Sequence, residues 1–384
     1  MPAQTVQQHE SESESESEDF TIGVEEEYQI VDAATRALHS GAARVLTGAR
    51  QALGDEVTNE LYLSQIEIAT PVCHSLAEAR DQLVRSRRGV IEAARGNGNR
   101  IVAAGTHPFS HWQEQQTTPK KRYRDLQREY QQLTQELVIC GCHVHVGIGD
   151  PELAIGTMNR ARLWLAPILA LAANSPFWLG EDTGFASYRT ELWSRFPLSG
   201  PPHPFSSRAD YDALVQTLVA TGTIQDGTHI YWDIRPSARF PTLEFRMADV
   251  CATVDEAIMV AGLVRGLART CYGQAVRDEP GPAVRPELLR VAHFLAARDG
   301  LDGDLVDVEA GRAAPAADVV DRLLAFVRPG LEQGGDWDEV LSLVEGTRRR
   351  GTGAARQRAA YQRTGRLEDV VDLLVEETAA GVGP

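Results

Sequence analysis

Apolar and polar residues alternate along several short stretches of the chain, which is the pattern of half-buried β-strands. The first stretch begins at Phe20 and places Ile22, Val24, Tyr28 and Ile30 on one face. Further strands are predicted over residues 62–70, 100–105, 139–148, 229–235 and 242–248. Each strand has an apolar face for helices to cover and a polar face, and strands of this kind suit an antiparallel sheet.

Elsewhere apolar residues recur at helical spacing. Ser75 stands three residues before Glu78, and Thr253 three before Glu256, which is the spacing of a capping box at a helix N-terminus. Helices are predicted over residues 76–96, 121–138, 158–173, 209–220, 254–277, 285–298, 316–328, 336–350 and 366–378. A stretch rich in Gly, Pro and Ser through about residue 208 predicts a long loop beside the functional site. Because strands and long helices are partly segregated, an α+β fold is expected.

The domain organisation follows from composition. Serine alternates with acids over residues 10–19, so residues 1–19 are expected to be a disordered acidic tail. The full sequence is 43% hydrophobic, and the chain beyond residue 19 is long enough for a sizeable core. We expect one catalytic domain over residues 20–380, helical from about residue 254.

Charge and cysteine content exclude some classes of protein. The formal net charge of -16 repels polyanions, so neither nucleic acid nor an anionic membrane is an expected partner. The most apolar stretch, residues 163–173, is interrupted by Pro167 and is shorter than the roughly 20 residues of a membrane span. Five cysteines and the absence of a secretory pattern at the N-terminus predict a cytoplasmic protein with reduced, buried thiols.

The basic residues are almost all arginine, since Lys120 and Lys121 are the only lysines. Removing the six acids of residues 10–19 from the net charge of -16 still leaves -10, so the folded part is acidic as well. This combination predicts a surface adapted to concentrated salt and a halophilic archaeal source. A GC-rich genome would also replace lysine by arginine, but it would not explain the excess of acids.

The polar faces of the strands carry candidate chemistry, because side chains two residues apart in a strand project from the same face. These positions hold Glu25 and Glu27, Gln65 and Glu67, His143 and His145, and Glu244 and Arg246. If the strands share a sheet, four carboxylates gather on one surface and repel each other unless cations lie among them. Oxygen ligands with one or two histidines suit Mg²⁺ or Mn²⁺.

Each pair alone has an ordinary explanation. Three successive glutamates occur on solvated edge strands, an H-x-H pair is often two buried histidines with satisfied hydrogen bonds, and an E-x-R pair is usually a surface ion pair. The metal hypothesis therefore depends on their co-occurrence. Zinc is disfavoured because the chain has no HExxH, and because Cys140 and Cys142 are separated by one residue and point away from the histidines.

Arginines supply the complementary charge. Arg189, Arg235 and Arg246 lie in or beside the polar strands and suit recognition of carboxylates or phosphates. The chain has no Walker A loop and no dinucleotide fingerprint. ATP would therefore have to be held through metal and arginine.

Five motifs in this order resemble the type 2 glutamate–cysteine ligase family of carboxylate–amine ligases. They are GVEEEY at 23–28, QIE at 65–67, CGCHVHVG at 140–147, ANSPFW with GFASYR at 173–189, and YWDIRP to TLEFRMADV at 231–250. The resemblance extends from about Phe20 to the C-terminal helices and excludes the acidic tail.

The resemblance implies a glutamine-synthetase-like fold, in which an antiparallel sheet forms a cup with helices on its apolar face. By motif match, Glu25, Glu27, Glu67, His143 and Glu244 would be metal ligands, with Mg²⁺ or Mn²⁺ as the ion. Arg246 and Arg235 would be catalytic residues on phosphate or substrate. Arg189, His145 and Gln65 would bind substrate or ATP.

The activity implied is ATP-dependent ligation of the γ-carboxylate of glutamate to the amine of cysteine. The products would be γ-glutamylcysteine, ADP and phosphate, formed through γ-glutamyl phosphate. Acids and arginines without a nucleophile agree with phosphoryl transfer, which needs positioning and charge neutralisation. A ligase with another amine acceptor, a non-catalytic regulator of the same fold, and a homo-oligomeric state all remain open.

Overall fold

The alternating segments form one antiparallel sheet in the computed structural model, which describes residues 19–383. The predicted acidic tail therefore lies outside the described residues, except for its last position. Strands β1 to β7 span Ile22–Asp32, Val57–Asn59, Gln65–Ala69, Asn99–Val102, Gly141–Gly147, Phe177–Trp178 and Glu181–Asp182. Strands β8 to β13 span Ser199–Gly200, Tyr231–Trp232, Ile234–Pro236, Thr242–Asp249, Asp304–Asp307 and Arg312–Pro315.

Seven strands make the main sheet, in the order β10-β11-β5-β1-β3-β2, with β4 pairing the second half of β1. Every pairing in this sheet is antiparallel. A register shift in β11 lies between Phe245 and Ala248. The long central strand β1 thus brings segments far apart in sequence onto one surface.

Helices cover the apolar face of the sheet. Helices α1 to α7 span Ala42–Leu53, Leu76–Arg95, Lys121–Tyr130, Gln132–Gln135, Pro151–Ala161, Leu165–Leu171 and Tyr188–Ser194. Helices α8 to α14 span Arg208–Ala220, Val254–Val276, Pro286–Asp299, Ala316–Gly334, Trp337–Arg350, Gly353–Thr364 and Leu367–Thr378. Helices α1, α2, α5, α6, α7, α9 and α14 contact strands of the main sheet. Both predicted N-caps are used, since Ser75 and Thr253 accept hydrogen bonds from the backbone N–H groups of Glu78 and Glu256. The capping box is complete at Thr253, whereas the side chain of Glu78 accepts from the backbone N–H of His74 instead of Ser75.

The buried helix α9 is the centre of the helical layer and packs against α2, α5, α11 and α12. The approach of α9 to α11 is close, because a Cβ at Gly266 would lie 2.6 Å from Leu331 and one at Gly330 would lie 2.3 Å from the carbonyl of Gly266. One apolar core extends from Phe20 to Val382. All five cysteines are buried and outside disulfides, which confirms the expected packing role.

Several predicted boundaries were wrong. The helix over 121–138 breaks at Gln131, whose φ is 51°. The helix over 158–173 is two helices, and the first begins earlier because Asp150 caps it and Pro151 occupies its first turn. The strand over 229–235 divides into β9 and β10.

Other elements were missed. The long loop before residue 208 contains α7, which Ser187 caps. The C-terminal part is interrupted by the β12–β13 hairpin and contains the unpredicted α13. Within residues 19–383, no helix is long and apolar enough to cross a membrane. The single-domain boundary at residues 20–380 stays a prediction.

Candidate active site

The register of the sheet places the candidate residues opposite one another on its polar face. Directly opposed pairs are Glu25 and His143, Glu27 and Glu67, Glu244 and His145, and Arg235 and Glu244. Opposed residues in neighbouring strands project from the same side, so these pairs are within reach of each other. The expectation that the strands share one polar surface is confirmed.

One cavity of about 280 Å³ lies over this surface. All ten candidate residues line it: Glu25, Glu27, Gln65, Glu67, His143, His145, Arg189, Arg235, Glu244 and Arg246. The wall also includes residues that the sequence did not single out, among them Glu60, Arg122, Trp193, Phe196 and Tyr231. The sheet therefore assembles a strongly charged site.

Three of these residues form a compact group that fits a divalent cation. Glu25, His143 and Glu244 each offer a ligand atom, and these atoms lie within 4.8 Å of one another. The buried Nε2 of His143 has no hydrogen-bond partner among the described residues, so its lone pair is available to a metal ion. Two carboxylates and one imidazole suit Mg²⁺ or Mn²⁺.

His143 is held neutral, and Glu25 is held ionised. Burial and the neighbouring Arg246 lower the pKa of His143 to about 4. Burial disfavours the charge of Glu25, but its hydrogen bonds and attraction to the two histidines outweigh this and hold its pKa well below the usual value. Glu25 Oε2 lies 3.3 Å from His143 Nδ1, and Glu25 Oε1 lies 3.4 Å from His145 Nε2. Neutral imidazole beside carboxylate is the protonation state that a metal ion requires.

A second group of acids, made of Glu27 on β1, Glu67 on β3 and Glu60 after β2, retains protons more strongly. Burial and the charge of Glu60 raise the pKa of Glu27 to about 7, although Arg189 opposes the shift. The pKa of Glu67 is raised well above its usual value by burial and by the nearby charges of Glu25, Glu60 and Glu27. Burial also raises the pKa of Glu60. Crowded carboxyls of this kind ionise together only when a positive charge joins them.

Glu244 is also held ionised. Burial disfavours its charge, but Arg246 and Arg235 hold its pKa well below the usual value. Arg235 donates from Nε and Nη2 to the two carboxylate oxygens, and from Nη1 to the backbone carbonyls of Thr228 and Ile230. Arg246 Nη1 also donates to Glu244, while the buried Nε of Arg246 has no partner among the described residues.

Arg189 reaches the site from α7. Its side chain is 5% exposed, and its Nη1 lies 4.0 Å from Asp249 Oδ1. Asp249 also accepts hydrogen bonds from the hydroxyls of Ser175 and Ser187, so it ties the loop before α7 to the end of β11. The guanidinium lies directly over Gly141, where a Cβ would be 2.3 Å from Nη2. The buried Nε of Arg189 has no hydrogen-bond partner within residues 19–383.

Hydrogen bonds to neighbouring protein groups fix the side chains of Gln65 and His145. Gln65 Nε2 donates to the carbonyl of Ile139 at 2.7 Å and to Cys140 Sγ at 3.3 Å, while its buried Oε1 has no partner in the described part of the chain. His145 Nδ1 lies 3.0 Å from Thr242 Oγ1, which orients the ring so that Nε2 faces Glu25.

The residues that sequence reasoning missed lie outside the strands of the main sheet. Glu60 follows the three-residue strand β2, and Arg122 lies in the first turn of α3. Alternation gives no signal for a loop or helix residue that enters a site defined by a sheet. Glu60 would have been noticed only if β2, the neighbour of β3, had been predicted.

A wider groove of about 1000 Å³ adjoins the charged cavity. The two share Glu25, His145 and Phe240 in their walls. Phe240 is 60% exposed and Val72, on the groove, is 65% exposed. An apolar opening thus leads to the charged end of the sheet.

Comparison with known proteins identifies the family of the chain. The model of glutamate-cysteine ligase family 2 (GCS2) matches residues 21–373. A Frankia alni protein, provisionally named glutamate–cysteine ligase 2-2, is 43% identical over 378 residues, which cover 95% of this chain and 98% of that protein. A Rhodopirellula baltica protein, provisionally named glutamate–cysteine ligase 2, is 42% identical over 363 residues, covering 93% and 96% of the two chains.

Solved structures share the fold at low identity. The glutamate–cysteine ligase of Francisella tularensis in complex with AMP has a TM-score of 0.69 and 13% identity, with 95% of this chain and 90% of that chain covered. The bifunctional glutathione synthetase of Pasteurella multocida has a TM-score of 0.68 and 15% identity, with 94% and 52% covered. The expected α+β class, an antiparallel sheet with helices on its apolar face, is confirmed. With a family model matching over nearly its whole length and relatives above 40% identity, the chain belongs to glutamate–cysteine ligase family 2.

Proposed function

We propose that this protein is an ATP-dependent ligase that joins the γ-carboxylate of glutamate to the amine of cysteine. The observation that carries the proposal is the single sheet face on which Glu25, Glu27, Glu67 and Glu244 meet buried arginines in one cavity. Such a surface suits phosphoryl transfer, where catalysis depends on positioning and on neutralising phosphate charge. Membership of a ligase family supports the same reaction class.

Two groups of acids would hold Mg²⁺ or Mn²⁺. One is Glu25, His143 and Glu244, whose ligand atoms lie close together. The other contains Glu27 and Glu67, with Glu60 beside them. Burial raises the pKa of all three, and neighbouring carboxylates raise those of Glu27 and Glu67 further. When bound, the ions would supply positive charge to the phosphates of ATP.

The arginines divide into two roles. Arg246 and Arg189 each keep a buried Nε without a partner in the described chain, so both retain a donor for a phosphate or carboxylate oxygen. Arg235 already donates to Glu244 and to two backbone carbonyls. In the proposed enzyme Arg235 therefore acts by orienting Glu244.

The reaction would proceed in two displacements. An oxygen of the γ-carboxylate attacks the γ-phosphorus of ATP, the bond to the bridging oxygen breaks, and ADP leaves. The cysteine nitrogen then attacks the carbonyl carbon of γ-glutamyl phosphate, the carbon–oxygen bond breaks, and phosphate leaves as the nitrogen loses a proton. The side chains bind, orient and neutralise, and none forms a covalent bond with substrate.

The groove beside the cavity would hold the nucleoside of ATP. Its exposed Phe240 offers a face for stacking of the base, and its shared wall with the cavity directs the phosphates towards Glu25. The AMP bound to the Francisella tularensis enzyme of the same fold supports nucleotide binding by this architecture.

Purified protein should be incubated with ATP, Mg²⁺, glutamate and each of a panel of amines, with ADP release and product mass as readouts. We expect ADP release that requires both glutamate and cysteine, together with the mass of γ-glutamylcysteine. Turnover only with amines other than cysteine would show that the acceptor is a different amine and would contradict the proposed one. No ADP with any pair of substrates would favour a non-catalytic regulator.

A further inference from the structure

A second cavity, of about 530 Å³, lies away from the candidate active site. It is bounded by the C-terminal end of α5, by Pro204, and by residues 281–286, which lead into α10. It shares no lining residue with the charged cavity or its adjoining groove. Three arginines line it, Arg160, Arg162 and Arg285, and its lining contains no acidic residue.

Arg162 is the unusual member of this cavity. The residue is only 3% exposed, and its Nη1 donates to the carbonyl of Pro202 at 3.2 Å. Within residues 19–383, its buried Nε has no hydrogen-bond partner and no carboxylate is recorded in an ion pair with it. Burial accordingly lowers the pKa of Arg162. Buried charges are ordinarily paired, because an unpaired buried charge is unfavourable. A bound anion would supply the missing partner of this guanidinium.

Arg160 repeats the arrangement beside it. Its Nη1 and Nη2 donate to the carbonyls of Gly156 and Glu279 at 2.8 and 2.5 Å, while its buried Nε lacks a partner within the described chain. The C-terminal end of a helix favours positive charge, which accounts for a basic residue near the end of α5. It does not account for two orphan Nε groups and a third arginine on the same cavity.

We propose that this cavity binds a small molecule that carries an oxyanion, a phosphate or a carboxylate. The oxyanion would lie against Arg160 and Arg162, with Arg285 at the exposed mouth. Pro204, Pro282 and Val284 would contact the apolar part of the molecule. The cavity lining has three arginines and no acid, and in the described part of the chain Arg285 alone of the three forms an ion pair, with the exposed Glu287 at 3.4 Å. Such a patch can attract an anion to a protein whose net charge is -16.

Arginine modification by phenylglyoxal offers a direct test, with modified peptides located by mass spectrometry. Arg285 lines the cavity and Arg290 does not, and both are exposed near the start of α10. Without nucleotide or metal, pyrophosphate or citrate should slow modification of Arg285 and leave Arg290 unchanged. Protection by one anion and not the other would identify the oxyanion as phosphate or carboxylate. Equal rates at Arg285 with and without both anions would overturn the proposal.

Variants of the cavity arginines test whether the protection of Arg285 is due to an anion bound in this cavity. Arg162→Gln and Arg160→Gln should each raise the concentration for half-protection of Arg285 by about tenfold, since each removes a charged donor. Arg290→Gln is the matched control and should leave it unchanged. If Arg162→Gln does not fold, the half-buried Arg160→Gln decides alone, and wild-type protection there overturns the proposal. Anion bound in the candidate active site does not shield Arg285, so this result is independent of the proposed ligase activity.

Discussion

Arg235 and Glu244, opposite each other on β10 and β11, form a two-point ion pair, with Nε 2.8 Å from Oε2 and Nη2 3.1 Å from Oε1. The remaining donor group of Arg235 is held by the carbonyls of Thr228 and Ile230. The guanidinium is therefore anchored on both sides, and the orientation of the Glu244 carboxylate is set by the protein itself.

Replacing Arg235 by lysine should lower kcat by about 10- to 100-fold, the usual effect of losing a group that orients a metal ligand. Lysine keeps the charge but cannot make the planar two-point contact. Steady-state kinetics and circular dichroism test this. Arg358→Lys is the matched control, because Arg358 makes the same contact with the surface residue Asp182. A wild-type kcat in Arg235→Lys would contradict the orienting role.

Glu27→Gln and Glu244→Gln should fold and lose at least about 100-fold of the Mg-ATP-dependent turnover, a larger effect than that of an outer-shell change. Each replacement keeps the shape and removes the negative charge. Glu332→Gln, on the exposed side of α11, should be unaffected. Normal rates in either site variant would refute the metal assignment of that residue.

Phe240→Ala should raise KM for ATP about tenfold with little change in kcat, because one stacking contact with a base is lost. Phe294→Ala removes a partly exposed ring elsewhere, on α10, and serves as the control. Initial rates over a range of ATP concentrations give both constants. An unchanged KM would place the base outside the groove.

His107 should make the protein less stable in acid. Its Nε2 lies 2.9 Å from the carbonyl of Arg36, and its Nδ1 accepts from the backbone N–H groups of Phe109 and Ser110. Protonation of Nδ1 would break the latter bonds, and burial lowers the pKa to about 4 from 6.5. The folded state thus binds fewer protons than the unfolded state between these values.

Stability from His107 is complete above pH 6.5 and falls as the pH drops towards 4, by up to about 3 kcal/mol. Urea unfolding at pH 7 and pH 4.5 measures the loss. His107→Gln should show a smaller difference between the two pH values than the wild type. His203→Gln, at an exposed position, should behave as the wild type does.

The acid excess predicts that the free energy of unfolding and the activity rise with KCl into the molar range, because screening removes self-repulsion among like charges. Denaturation and activity measured over increasing KCl test this. NaCl should act similarly if general screening is responsible. Full stability in dilute buffer would leave the composition of the genome as the better explanation of the arginine bias.

Sequence alternation located the site because its ligands lie on strands, where a period of two residues decides which face each side chain occupies. The same reasoning could not find Glu60, which follows a strand of three residues. It also missed α1, whose N-cap is Gly41 without a capping side chain. Helix α13 buries mainly small or polar residues, Ala354, Gln357 and Ala360, so its apolar stripe is weak. Whether β2, α1 and α13 form depends on tertiary packing and on turns, and a local pattern of apolar residues shows neither.

The three residues of the compact ligand group come from strands that are distant along the chain. His143 lies 118 residues beyond Glu25. Glu244 lies on β11 two residues before Arg246, which itself lies 103 residues beyond His143. A nascent chain on the ribosome cannot build this group until β11 has emerged and paired with β5. Contacts over such separations form slowly. A cation held there would stabilise only the finished topology, so the ion would select correctly folded chains as well as serve the substrate.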